Sequence, residues 1–158
     1  MSTLEECLRS RRLIPLLGWL ENWETAQRCL YVHPRAIEWM KHELPRLKTD
    51  NYWQGSPSPS VQAKVWIHDF VAGKPPIEPL PHEMRPQAAG IWEMRTFDLR
   101  FFGWFPQSGT FIISSVQSKI NCFNKALYDG YRKQAVTDRT QLNLFGGKFA
   151  EGLLNDLL

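Results

Sequence analysis

Three features predict an α+β fold carried by an antiparallel sheet of about four strands. The stretch Gly90 to Ser115, GIWEMRTFDLRFFGWFPQSGTFIISS, reads as three successive strands. Helix-period segments lie before and after this block, not between its strands. One more short apolar run, Arg28 to Val32, precedes the helices and is expected to join the same sheet. Strands and helices segregated in this way mark α+β rather than alternating α/β architecture.

The elements follow in order. Thr3 and Glu6 have capping-box spacing, which predicts a first helix over about residues 4 to 13. Pro15 and Gly18 end it, inside a strongly apolar run from Leu13 to Trp23. That run must dock on the chain's own sheet, on a second copy or on a partner, because exposed apolar patches mark interfaces. After the Arg28 to Val32 strand, Pro34 suits a helix start. Ile37, Met40, Leu44 and Leu47 recur at helical spacing, so residues 35 to 48 read as a helix that Pro45 shortens or kinks. Asp50 to Pro59 reads as a loop. A second helix runs from Ser60 to Ala72, with Ala63, Ile67, Phe70 and Val71 as its buried stripe and Gly73 at its C′ position. The proline-rich stretch Lys74 to Pro86 predicts an extended connector without regular structure.

The meander comprises Ile91 to Thr96, Leu99 to Phe105 and Thr110 to Ser115. Aromatic and β-branched residues suit its pleated, half-buried surface, and Pro106-Gln107-Ser108-Gly109 supplies the hairpin loop. Phe123, Ala126, Leu127, Gly130 and Tyr131 form one face of a helix over about 120 to 134. Thr137 to Lys148 reads as a loop, and a short amphipathic helix closes the chain.

A chain of 158 residues supports a single domain with a substantial core, and seven Trp and nine Phe supply apolar bulk. Three scattered cysteines without CxxC spacing indicate neither a zinc ribbon nor a disulfide scaffold, so a reducing, cytoplasmic setting is expected. No apolar run approaches a membrane span, and no signal-peptide pattern opens the chain. His33, His42, His68 and His82 show no metal-ligand spacing. The net charge of +3 permits an anionic partner without demanding one. Much of the basic character lies in one segment, at Arg85, Arg95, Arg100, Lys119, Lys125, Arg132 and Lys133.

Arg95 and Arg100 are expected to face each other across the first turn of the meander. Like charges placed close on a sheet destabilise it. Either they reach solvent at an edge or something anionic sits between them. Pairing of Arg95 with Glu93 or Asp98 as plain surface charge is the simple structural alternative.

The ordered segments Gly90-Ile91-Trp92-Glu93-Met94-Arg95, Leu99-Arg100-Phe101 and Thr110 to Ser115 followed by Lys119 resemble the RelE/HigB/ParE superfamily of toxin-like proteins. The resemblance covers roughly Arg28 to Gln134. It divides the single domain into an N-terminal helical extension (1–26), a RelE-like core (27–135) and a tail (136–158). It implies a toxin of a toxin–antitoxin pair, from a phage, plasmid or chromosome. Many members cut messenger RNA on the ribosome without a metal, and ParE-type members poison gyrase. No cofactor is implied. Expected partners are a cognate antitoxin, RNA and the ribosome, with a homodimer through the apolar N-terminal run as a further option.

Metal-free RNA cleavage uses the 2′-OH as nucleophile. It needs a proton acceptor, cations for the phosphate and a proton donor for the leaving oxygen. Arginine offers fixed charge and a bidentate fork. The resemblance therefore assigns Arg95 and Arg100 to the scissile phosphate, Lys119 to proton transfer or charge neutralisation and Tyr128 to positioning the RNA. Lys125, Arg132 and His82 are RNA-binding candidates, with His82 the outside candidate for a base. The family's basic cluster after the last strand is often two adjacent cations, and here Lys119 stands alone. With the apolar N-terminal run, this keeps a second reading open, a non-catalytic module on the same fold that inhibits a host protein.

Overall fold

The computed structural model describes residues 1–49 and 54–158, so the first four residues of the expected Asp50 to Pro59 loop lie outside it. The fold is α+β, around one six-stranded mixed sheet. The helices are α1 (Leu4–Arg9), α2 (Pro34–His42), α3 (Pro59–Ala72), α4 (Lys119–Asn124), α5 (Tyr128–Leu142) and α6 (Leu154–Leu157). The strands are β1 (Ile14–Leu16), β2 (Cys29–Val32), β3 (His82–Glu83), β4 (Trp92–Arg95), β5 (Leu99–Gln107) and β6 (Thr110–Ser118). They lie in the order β1-β2-β6-β5-β4-β3.

The antiparallel meander β4-β5-β6 forms as expected. The all-antiparallel, four-stranded sheet does not. Strand β2 pairs parallel with β6, Leu30 opposite Phe111 and Val32 opposite Ile113. The chain leaves β2, lays α2 and α3 over one face, and returns at the far side of the sheet. Parallel neighbours need such a crossover. Two short edge strands complete the sheet. Strand β1 pairs antiparallel with β2, and β3 pairs antiparallel with β4. Pro15 sits in β1, the edge position where a missing N–H is tolerated.

Local differences have identifiable causes. Helix α1 has its capping box, with Glu6 N–H donating to Thr3 Oγ1 at 3.1 Å and Thr3 N–H to Glu6 Oε2 at 2.9 Å. It stops at Arg9 rather than residue 13, and the apolar run beyond it becomes β1. Residues 1–26 are thus woven into the fold, with Cys7 and Leu13 buried, while Leu17, Trp19 and Trp23 stay exposed. Helix α2 gives way to a 3₁₀ turn at Leu44–Arg46, where Pro45 sits. Helix α3 buries its expected stripe and ends at Gly73 with φ +82°, a left-handed conformation that glycine adopts without Cβ strain. The proline connector is not structureless, since β3 forms within it.

The single helix expected over 120–134 is two. Ala126 has φ +51° between α4 and α5, and α5 runs on to Leu142, through much of the expected 137–148 loop. The predicted stripe spans this break, so Phe123 is exposed, and the inward face of α5 is Ala135, Asp138, Arg139 and Leu142. Two inward polar residues hide that face from an apolar period. The tail folds back under the β5–β6 turn, with Gly109 N–H donating to Leu157 O at 2.7 Å.

The sheet separates two cores. Leu99, Phe101 and Phe105 of β5 face α2 and α3 with Phe111, Ile113, Ile67 and Phe70. Phe102 and Trp104 face the other way, towards α1, α4 and α5. This is the period-2 alternation of a central strand covered on both sides. Gly103 is required where β5 and β6 shift register, because a Cβ there would sit 1.8 Å from the Ile112 carbonyl oxygen.

Candidate functional site

Thr96 N–H donates to Leu99 O at 3.1 Å and closes the first hairpin of the meander. Counting from it, Arg95 and Arg100 form a non-hydrogen-bonded cross-strand pair, the kind that brings side chains closest. Glu93 lies two residues before Arg95, hence on the same face, and supplies the anion the pair needs. Its Oε1 accepts from Arg95 Nε at 3.0 Å and lies 2.9 Å from Arg100 Nε. The second contact is coulombic, since the buried Nε–H of Arg100 is not aligned as a hydrogen bond.

Depth differs sharply among these groups. The side chains of Glu93 and Arg100 are 3% and 7% exposed. Arg100 also donates through Nη1 to Thr96 O at 2.6 Å and Leu99 O at 2.8 Å, so it staples the hairpin from within. Arg95 is 30% exposed, and among the described residues only its Nε is engaged, which leaves the outer edge of its fork open. His82 is paired with Glu93 in register, 51% exposed, with Nδ1 3.9 Å from Glu93 Oε2. The mouth of the cluster therefore consists of His82 and Arg95, with Glu93 and Arg100 behind them.

Helices α4 and α5 cover the inner side. Burial raises the Tyr128 phenol above its ordinary pKa and the Glu93 charge adds to this, while Arg100 offsets part of it. Burial pushes the Cys122 thiol up to about 12, with Glu93 raising it and Arg100 lowering it. Tyr128 meets Phe102 edge-on at 6.1 Å, and Tyr131 stacks on the same ring at 4.9 Å.

The structure thus brings Arg95, Arg100, Tyr128 and His82 together around Glu93. Lys119 opens α4, and its N–H donates to Asp98 O at 2.8 Å, so the helix start fixes its place. Lys125 is the exposed residue that ends α4. Arg132, on α5, approaches Asp129 at 3.7 Å, and its buried Nε finds no acceptor among the described residues. No ion pair joins Asp98 to Arg95 among the described residues, and the Asp98 carboxylate accepts from Gln62 Nε2 at 2.6 Å.

Glu93 was expected only as a surface partner, yet it is the centre of the cluster. Its i, i+2 spacing to Arg95 was a usable signal. Its burial was not, because that depends on α4 and α5.

A second buried carboxylate holds the opposite end of α5. Asp138, 1% exposed, accepts from Arg35 Nη1 and Nη2 at 2.9 and 3.1 Å, from Ser114 Oγ at 2.5 Å and from Gln134 Nε2 at 2.9 Å. It ties α2, β6 and α5 together. Burial opposes its ionisation, but the hydrogen bonds from Arg35, Ser114 and Gln134 outweigh this and hold its pKa below the usual carboxylate value.

Among the described residues no group of three or more His, Cys, Asp or Glu side chains is placed to hold a metal ion, and no helix is long and apolar enough to cross a membrane. Compared with protein-family models, curated proteins and solved structures, the chain matches none of them.

Proposed function

We propose that the chain is a RelE/HigB-like toxin that cleaves messenger RNA in the cytoplasm without a metal and is held in check by an antitoxin. The observation that carries this reading is the grouping of Glu93, Arg95, Arg100, His82 and Tyr128 at the meander's end. In it, a histidine and an open guanidinium edge form the mouth of a buried ion cluster. The order of β2, two helices, the meander and a following helix supports it as well.

The roles differ from the simplest assignment. Arg95 grips the scissile phosphate with the free edge of its fork. His82 transfers the proton, since it is exposed and near a carboxylate. Glu93 and Arg100 are positioning residues that fix Arg95 from behind. Tyr128 orients the nucleotide, and Lys119, Lys125 and Arg132 add positive charge along α4 and α5.

Inducible expression with growth and messenger RNA decay followed together tests this. Growth arrest with rapid RNA loss is expected. His82→Ala should slow cleavage by the purified chain by about a hundredfold or more. If both His82→Ala and Arg95→Ala cleave RNA like the parent chain, the site is wrong.

A second reading, a non-catalytic module that inhibits a host protein, is favoured by the burial of Arg100 and by exposed Leu17, Trp19 and Trp23. It predicts growth arrest or partner capture with RNA left intact.

A further inference from the structure

On the opposite face of the sheet from Glu93, a cleft of about 260 Å³ opens between α3, the proline connector and the outer end of β4. Its walls are mainly apolar, formed by Trp66, Phe70, Met94 and the connector prolines. Trp66 is held rigid by stacking on Phe101 at 4.5 Å, so one wall is a fixed aromatic surface. The size is near the lower end for small-molecule sites, which combine apolar walls with a few placed polar groups.

One such group is present. Arg28 lies over the Phe70 ring at 5.2 Å, and its Nη1 donates to Phe70 O at 3.3 Å and Lys74 O at 3.1 Å. These contacts fix the guanidinium through Nη1 and leave Nε and Nη2 without a hydrogen bond among the described residues. That edge is the side-on fork that takes a carboxylate bidentately. Asp69, Lys74, Glu78 and Arg95 are the other charged residues lining the cleft. Asp69 is held by His68 and Lys74, and Arg95 by Glu93. Glu78 is exposed on the connector, and no ion pair joins it to Arg28 among the described residues. Burial lowers the Arg28 pKa, as expected for a cation desolvated without a counter-ion.

We propose that this cleft binds a small apolar carboxylate, its hydrocarbon part between Trp66, Phe70 and Met94 and its carboxylate on the free edge of Arg28. Arg28 offers one side-on edge, and the carboxylates of Asp69 and Glu78 also line the cleft, which favours a monoanion over a phosphate dianion. The site goes beyond the proposed RNA cleavage, and the contacts proposed for its ligand do not involve the residues assigned there.

The test is an NMR titration of the chain with 3-phenylpropionate and with its neutral match, 3-phenylpropan-1-ol. The acid is expected to bind about tenfold or more tighter than the alcohol and to shift the Trp66 indole resonance. Arg28→Met should remove that preference. Val65→Trp fills the cleft from a half-exposed position on α3 and leaves Arg28 in place, so it should abolish binding of both. Absence of acid binding, equal binding of acid and alcohol, or binding that survives Val65→Trp would each overturn the proposal.

Discussion

Glu93 sets the electrostatics of its neighbourhood, and its removal should be felt by groups it never touches. Glu93→Gln leaves Arg100 buried without its counter-ion, so urea denaturation should show a loss of about 3 kcal/mol. The same change should bring the Tyr128 phenol down, because the Glu93 charge that raises it is gone while Arg100 remains. An ultraviolet pH titration reads this directly, and an unchanged phenol would refute the electrostatic account. The thiols make a separate test at this scale. Cys29 is exposed, Cys7 and Cys122 are buried, and burial raises the pKa of both buried thiols. A disulfide reagent at neutral pH should therefore modify one thiol in the native chain and the remaining two only on unfolding.

Between elements, two ionic clasps respond to pH with opposite signs. His68 on α3 lies 2.9 Å from Glu24 through Nε2 and 3.0 Å from Asp69 through Nδ1. Only imidazolium donates from both nitrogens. Hydrogen bonds to Asp69 and then Glu24 raise the His68 pKa above its ordinary value. Its contribution is full below the unfolded value, about 6.5, and is lost as pH rises through the higher folded value. The stretch around Glu24 should therefore become more susceptible to proteolysis above neutral pH, and His68→Gln should flatten that dependence. Asp138 behaves in reverse. Its folded pKa is depressed, so the stability it lends is present above its unfolded value, about 3.9, and is lost as pH falls through the folded one. Asp138→Asn should cost about 2–3 kcal/mol at neutral pH, and the difference from the parent chain should shrink in acid. A constant difference down to acid unfolding would contradict this.

For the molecule as a whole, the sheet is a partition. One face carries the Glu93 cluster under α4 and α5, and the other carries the aromatic cleft beside α3. The rim residue Arg95 is shared, since it pairs with Glu93 and also lines the cleft. The apolar run Leu13 to Trp23 divides in the same spirit. Leu13 enters the core and Ile14–Leu16 joins the sheet, while Leu17, Trp19 and Trp23 face outward. Lys64 lies over the Trp19 ring at 5.1 Å, a contact that an exposed aromatic gains from a neighbouring cation.

Sequence by itself determined the elements whose causes are local. The meander followed from alternation and turn residues, α1 from its capping box, the end of α2 from Pro45, and the end of α3 from Gly73. It also placed Arg95 opposite Arg100, because register in a tight hairpin is a matter of counting. Tertiary structure decided what depends on distant partners. The parallel pairing of β2 with β6 and the edge strands β1 and β3 are long-range hydrogen-bonding choices that no local pattern encodes. Helix α5 hid its inward face because Asp138 and Arg139 are buried only once Arg35, Ser114, Ala89 and Phe149 arrive to satisfy them. Glu93 became the centre of a site for the same reason. A carboxylate is stable in a core only when the fold delivers cations to it, and those cations come from two strands that meet in the sheet.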